Sequence, residues 1–160
     1  MLQRLDNFVF NLIQDCCFDL AGIAKFFSIF SVAAIILIFS ILYFKKAIRK
    51  NLIFVLIFVL FLRFLDLIIN FFFPRARPDG SAMDSFFSLH ALYAFSFATL
   101  IFYRNKFLGL LAYFFAIVIG LTRLIFNKHW FTDVFAGALS GVLIAILTNF
   151  FIKKIKWDLK

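Results

Sequence analysis

Five nearly unbroken apolar stretches run along this chain, at residues 26–44, 51–73, 85–103, 107–126 and 131–152, separated by short polar punctuation. Each approaches the ~20 residues that a helix needs to cross bilayer hydrocarbon. A backbone in lipid must satisfy its own hydrogen bonds, so each stretch is predicted to be a helix. Residues 1–24 follow another pattern. Asp6, Asn7, Asn11, Gln14, Asp15 and Asp19 interrupt the apolar positions at roughly helical spacing. That predicts an interfacial or half-buried amphipathic helix rather than a span. Pro74 and Pro78 bracket a rigid turn after the second stretch, and Gly80 and Ser81 continue it. The predicted fold class is therefore all-α: a polytopic membrane helix bundle of about five transmembrane helices plus an N-terminal interfacial helix. Residues 1–160 are expected to form a single membrane-embedded domain, without internal repeats.

Composition narrows the class further. The chain is 65% hydrophobic, well above the roughly half expected of a soluble domain. The net charge is +9 and all the acids are Asp. In a soluble protein such an excess would suggest nucleic acid; here the bases sit in short loops, so no nucleic-acid partner is expected. Lys45, Lys46, Arg49 and Lys50, then Arg104 and Lys106, then Lys153, Lys154, Lys156 and Lys160 all fall on one side of a five-span path. That side is predicted to be cytoplasmic, its bases touching anionic headgroups. The N-terminal helix and the 74–84 and 127–130 loops then face outward. Cys16 and Cys17 are adjacent and alone, which excludes a disulfide framework and leaves them as small packing residues. No signal-peptide core precedes them, so neither a cleaved nor a lipidated N-terminus is expected.

The outer side collects the unusual polar residues. Arg75, Arg77 and Pro78 lie in its first loop, Ser88 and His90 near the start of the third stretch, and Arg123 near the end of the fourth. His129 and Asp133 open the fifth. Ionisable groups at a membrane span are costly and point to function. The chemistry that suits this set is phosphoryl transfer. Arg77 and Arg123 can clamp nonbridging phosphate oxygens. Ser88, near a helix N-terminus, can help bind an anion. If His129 and Asp133 share a helical face, the carboxylate can hold one imidazole nitrogen protonated and leave the other to attack phosphorus. His90 can protonate the leaving oxygen and then activate water. The structural alternative for His129 and Asp133 is a helix cap with an ion pair; for His90 it is packing at headgroup depth, for Arg77 a snorkelling anchor, and for Ser88 a hydroxyl that satisfies its own helix. Arg63, Asp66 and Asn70 share a face of the second stretch; they read as a neutralising pair with a neighbour, or as a polar floor. Asp79 and Asp84 read as loop or cap residues, and Trp130 and Tyr103 as interfacial anchors. Two histidines 39 residues apart, without paired carboxylates, make a poor ligand set, so no metal and no cofactor is expected.

These residues resemble the type 2 phosphatidic acid phosphatase family, whose pattern has three pieces: Lys, six residues, Arg-Pro; Pro-Ser-Gly-His; and Ser-Arg, five residues, His, three residues, Asp. Here the pieces read Asn70, six residues, Arg77-Pro78; Phe87-Ser88-Leu89-His90; and Thr122-Arg123, five residues, His129, three residues, Asp133. The resemblance implies a metal-independent phosphatase with a phosphohistidine intermediate. His129 would be the nucleophile, Asp133 its partner and His90 the acid and base, with Arg77, Ser88 and Arg123 on phosphate. Asn70 replaces a lysine and keeps only a hydrogen-bond donor; Arg75 is expected to supply some of the lost charge. Phe87 and Leu89 replace Pro and Gly, and Thr122 keeps the hydroxyl of Ser.

The expected activity is hydrolysis of a lipid phosphate or diphosphate at the outer face of a bacterial inner membrane. The short outer loops and the Arg75-Ala76-Arg77-Pro78 segment look most like undecaprenyl diphosphate phosphatases. Lipid A and phosphatidylglycerophosphate phosphatases are rivals within the family. A lipid phosphotransferase and a non-catalytic membrane protein are the readings from other classes.

Overall fold

The computed structural model describes residues 1–17 and 48–154. The first predicted span, 26–44, lies outside the described residues, as do residues 18–24. Five helices are described: α1 (Leu2–Cys17), α2 (Ile48–Phe72), α3 (Leu89–Arg104), α4 (Lys106–Ile125) and α5 (Phe131–Lys154). Ile53–Phe72 of α2, all of α4 and all of α5 are long and apolar enough to cross a membrane. Val55, Phe58, Leu62 and Asp66 form the buried stripe of α2, at spacings of three and four. Phe61, Phe64, Leu67 and Phe71 are exposed along it, as suits a surface solvated by lipid.

The shorter helix, α3, is the core of the bundle. Ala91, Leu92, Phe97, Ala98 and Ile101 are fully buried in it, and it packs most extensively on α4 and α5. The apolar pattern placed its start at residue 85, but the helix begins at Leu89. Backbone hydrogen bonds to neighbouring segments hold residues 85–88 out of a helical turn. The Ser85 N–H donates to the Arg75 carbonyl (3.0 Å) and the Ser88 N–H to the Asp133 carbonyl (3.0 Å). At its other end α3 turns into α4 through one residue. The Asn105 N–H donates to the Ile101 carbonyl (2.8 Å), while its side chain accepts from the Leu108 N–H (3.1 Å) and caps α4.

Two glycines let α5 lie directly on α3. A Cβ at Gly137 would stand 2.5 Å from the Ser88 carbonyl oxygen, and one at Gly141 would stand 2.6 Å from that of Leu92. Small residues one turn apart are how helices approach closely in lipid, where packing rather than water drives association. Ser96 adds a hydrogen bond across the seam, donating from Oγ to the Gly141 carbonyl (3.1 Å).

Because backbone oxygens rather than side-chain tips oppose these positions, Gly137→Ala and Gly141→Ala must push α3 and α5 apart. Each is expected to cost about 1–3 kcal/mol and to lower the unfolding midpoint in detergent. An unchanged midpoint in both would contradict the seam.

Candidate active site

Two loops meet above the ends of α3, α4 and α5. The first, between α2 and α3, folds back on itself. The Arg75 N–H donates to the Met83 carbonyl (3.1 Å) and the Arg77 N–H to that of Ala82 (3.0 Å). A turn closes from the Gly80 N–H to the Arg77 carbonyl (3.0 Å), with Pro78 at the corner where its fixed φ fits. Gly80 lies in the left-handed region, at φ +69°. The second loop, between α4 and α5, carries His129. Asp79 ties the loops together: its N–H donates to the Asn127 carbonyl (3.1 Å), and its carboxylate pairs with Lys128 (2.5 Å). Burial works to raise the Asp79 carboxyl, but hydrogen bonds from Lys128 and Ser81 hold it well below the usual carboxylate range.

Between the loops and the helix ends lies a cavity of about 330 Å³. His90 and His129 line it, with Arg77 and Arg123. Four separate parts of the chain thus deliver the residues that the third and second motif pieces and the Arg-Pro piece singled out. Arg63, Asp66 and Asn70 of α2 and Lys128 complete the polar wall, and Phe87 and Leu89 add an apolar one. Arg123 is buried, with Nη1 3.4 Å from His90 Nε2. Arg77 is held in the loop by a two-point ion pair with Asp84 (2.8 and 2.9 Å). Arg63 pairs with Asp66 (2.6 Å), and Asn70 donates to the same carboxylate (3.0 Å). Among the described residues no three of His, Cys, Asp and Glu are grouped as a metal site would need.

His129 Nδ1 lies 2.8 Å from the Ser85 carbonyl oxygen. A carbonyl only accepts, so Nδ1 carries the proton and Nε2 keeps its lone pair. Burial pushes the imidazole down to about 4; the Ser85 hydrogen bond opposes that, and the charges of Arg77 and Arg123 reinforce it. At neutral pH His129 is an uncharged base with one fixed tautomer, the state a nucleophile needs.

Three expectations are corrected here. Asp133 does not orient His129 directly. The helix α5 begins at Phe131, so His129 stands in the loop and the four-residue spacing does not put the two on one face. Asp133 instead accepts from Ser85 Oγ (2.5 Å) and the Trp130 N–H (2.9 Å) and pairs with Arg75. It thereby sets the segment whose carbonyl holds His129. Arg75 is not at the phosphate cavity: its guanidinium is taken by Asp133, by Asp6 (2.6 Å) and by Thr132 (2.8 Å). Ser88 is not in the lining either; its Oγ is fully buried and makes no hydrogen bond.

Sequence reasoning overlooked three participants. Ser85 acts through its backbone carbonyl, which leaves no trace in residue type. Asp6 was one polar position among several in an amphipathic helix, with no sign of its partners. Lys128 stands beside His129 and brings to the cavity a cation that Asn70 lacks; adjacency to the motif histidine was the available signal. Trp130, read as a lipid anchor, fastens loops together, donating from Nε1 to the Ala76 carbonyl (2.9 Å).

The sequence profile of the PAP2 superfamily matches residues 69–157, just over half of the chain. A protein named lipid A 1-phosphatase, from Porphyromonas gingivalis, is 38% identical over 79 residues, which is 47% of this chain and 18% of that protein. The chain therefore spans less than a fifth of that relative's length. No solved structure matches.

The buried neutral imidazole has a consequence for stability. The unfolded chain binds a proton on His129 near pH 6.5, the folded one only near about 4. Between these values the unfolded state holds more protons, so this contribution is complete above pH ~6.5 and is lost as pH falls towards about 4. Thermal unfolding across that window should show a weaker acid loss in His129→Gln than in wild type. Parallel curves would contradict the assignment.

Proposed function

This chain belongs to the PAP2 superfamily, and we propose that it is a membrane lipid phosphatase that removes a terminal phosphate through a phosphohistidine. The observation that carries the reading is the convergence of neutral, tautomer-fixed His129 with His90, Arg77 and Arg123 on one cavity. His129 Nε2 attacks phosphorus as the bond to the leaving oxygen breaks. The negative charge of the bound phosphate favours the protonated form of His90, which gives that proton to the leaving oxygen. Arg77 and Arg123 hold the nonbridging oxygens as charge spreads over them, with Lys128 at the cavity wall adding a further cation. Water then attacks phosphorus, His90 takes its proton, the P–N bond breaks, and inorganic phosphate leaves with His129 restored.

The substrate is a lipid. The cavity sits at the outer ends of membrane-length helices, and Phe87 and Leu89 give it an apolar wall along which a lipid tail enters sideways between helices. The active site faces the exterior of a bacterial inner membrane, with the C-terminus in the cytoplasm, an orientation that the loop bases favour. Within the lipid phosphates we favour undecaprenyl diphosphate, because the short outer loops leave room for a small headgroup. The relative named lipid A 1-phosphatase favours lipid A as the second reading.

Purified protein should release phosphate from at least one of undecaprenyl diphosphate, lipid A and phosphatidylglycerophosphate. His129→Ala should lower that rate at least about ten-thousandfold, and a rapid quench should trap acid-labile phosphate on His129. Transfer to a lipid hydroxyl instead of water would reassign the protein as a phosphotransferase. Silence on the whole panel, with nothing trapped, would leave a non-catalytic membrane protein.

A further inference from the structure

One buried cluster lies behind the cavity. It joins α1, whose sequence lies outside every motif, to the nucleophile loop. Asp6, Phe10 and Gln14 follow one another at four-residue spacing and so share a face. Each meets a different part of the His129 segment. Gln14 Nε2 donates to Asn127 Oδ1 (2.7 Å). The Phe10 ring packs on Trp130 at 5.9 Å between centroids. Asp6 accepts from the Thr132 N–H (2.9 Å) and Thr132 Oγ1 (2.8 Å). Val9, Phe10 and Ile13 close on Leu124, His129 and Trp130 so tightly that only about 10 Å³ is left between them. The opposite face of α1 exposes Leu5, Phe8 and Leu12, a surface fit for the bilayer interface.

Asp6 is 1% exposed and Asp133 is fully buried. Two carboxylates out of water are costly unless a cation and further donors satisfy both. Arg75 does so, giving Nη2 to Asp6 (2.6 Å) and Nη1 to Asp133. Its guanidinium also lies 5.7 Å from the centre of the Trp130 ring. Asp6 thus fixes Arg75, Arg75 fixes Asp133, and Asp133 holds Ser85, whose carbonyl holds His129.

We propose that Asp6 is a positioning residue for phosphoryl transfer and that α1 is a strap whose inner face sets His129 while its outer face lies in the interface. Asp6 touches no substrate; neither it nor Arg75 lines the cavity. The proposal rests on His129 being the nucleophile of a lipid phosphatase.

The test compares wild type with Asp6→Asn and Asp6→Ala on undecaprenyl diphosphate and on lipid A in detergent micelles. The expected result is a fall in kcat between about tenfold and a hundredfold, larger for alanine, with KM held within about twofold. In an Arg75→Ala background the Asp6 effect should shrink, leaving only what its bonds to Thr132 contribute. Asp6→Asn keeps side-chain volume and an acceptor for Thr132, so it carries the test if the alanine variant fails to fold. A second arm needs no turnover: diethyl pyrocarbonate labelling read by mass spectrometry. His129, 8% exposed in the intact protein, should react several-fold faster in the Asp6 variants while His90 does not change. An unchanged His129 labelling rate, or an unchanged kcat in an active enzyme, overturns the proposal. Faster labelling in a protein that releases phosphate from none of undecaprenyl diphosphate, lipid A and phosphatidylglycerophosphate keeps the strap and overturns the phosphatase reading alone.

Discussion

The end of the bundle that carries the cavity is organised around the buried carboxylate of Asp133. One oxygen meets Arg75; the other accepts from Ser85 and from the Trp130 N–H. Its own backbone carbonyl takes the Ser88 N–H. A single residue in the first turn of α5 therefore joins the loop after α2, the approach to α3 and the loop after α4. Position helps as well, since a carboxylate is favoured at a helix N-terminus. The fully buried charge makes this node an all-or-nothing arrangement. Removing one partner strands a charge that costs several kcal/mol, so the three segments keep their register together.

Below that node the fold is set by close approach rather than by polar contacts. Gly137 and Gly141 let α5 rest on the backbone of α3, and Asn105 couples α3 to α4 in one step. This fixes the end of α3, and with it the height at which His90 meets Arg123 from α4. The delay of α3 to Leu89 serves the same end. Residues 85–88 remain extended loop, so their backbone groups face neighbours instead of completing a helical turn.

Much of this was legible in the sequence. Apolar runs located α2, α4 and α5, and the polar interruptions located α1, because both patterns report a helix's surroundings directly. The motif positions Arg77, His90, Arg123 and His129 do share one cavity. The parts that resisted reading depend on distance and on backbone. Arg75 looked like a free cation beside Arg77, but its partners lie 58 and 69 residues away. The His129–Asp133 spacing implied a shared helical face, which fails because the helix starts between them. Ser85 works through a carbonyl that any residue would have, so its identity carried no signal for that role.

Three of the cavity's cations arrive already paired with carboxylates. Arg77 holds Asp84, Lys128 holds Asp79 and Arg63 holds Asp66. An anion binding to any of these three would displace a resident carboxylate, as in an ion exchanger. A singly charged phosphodiester, the commonest anion at a membrane surface, gains little over the carboxylate it replaces. A doubly charged terminal phosphate gains more. For the lipid phosphatase proposed above, the aspartates would set a threshold that singly charged headgroups fail to pass.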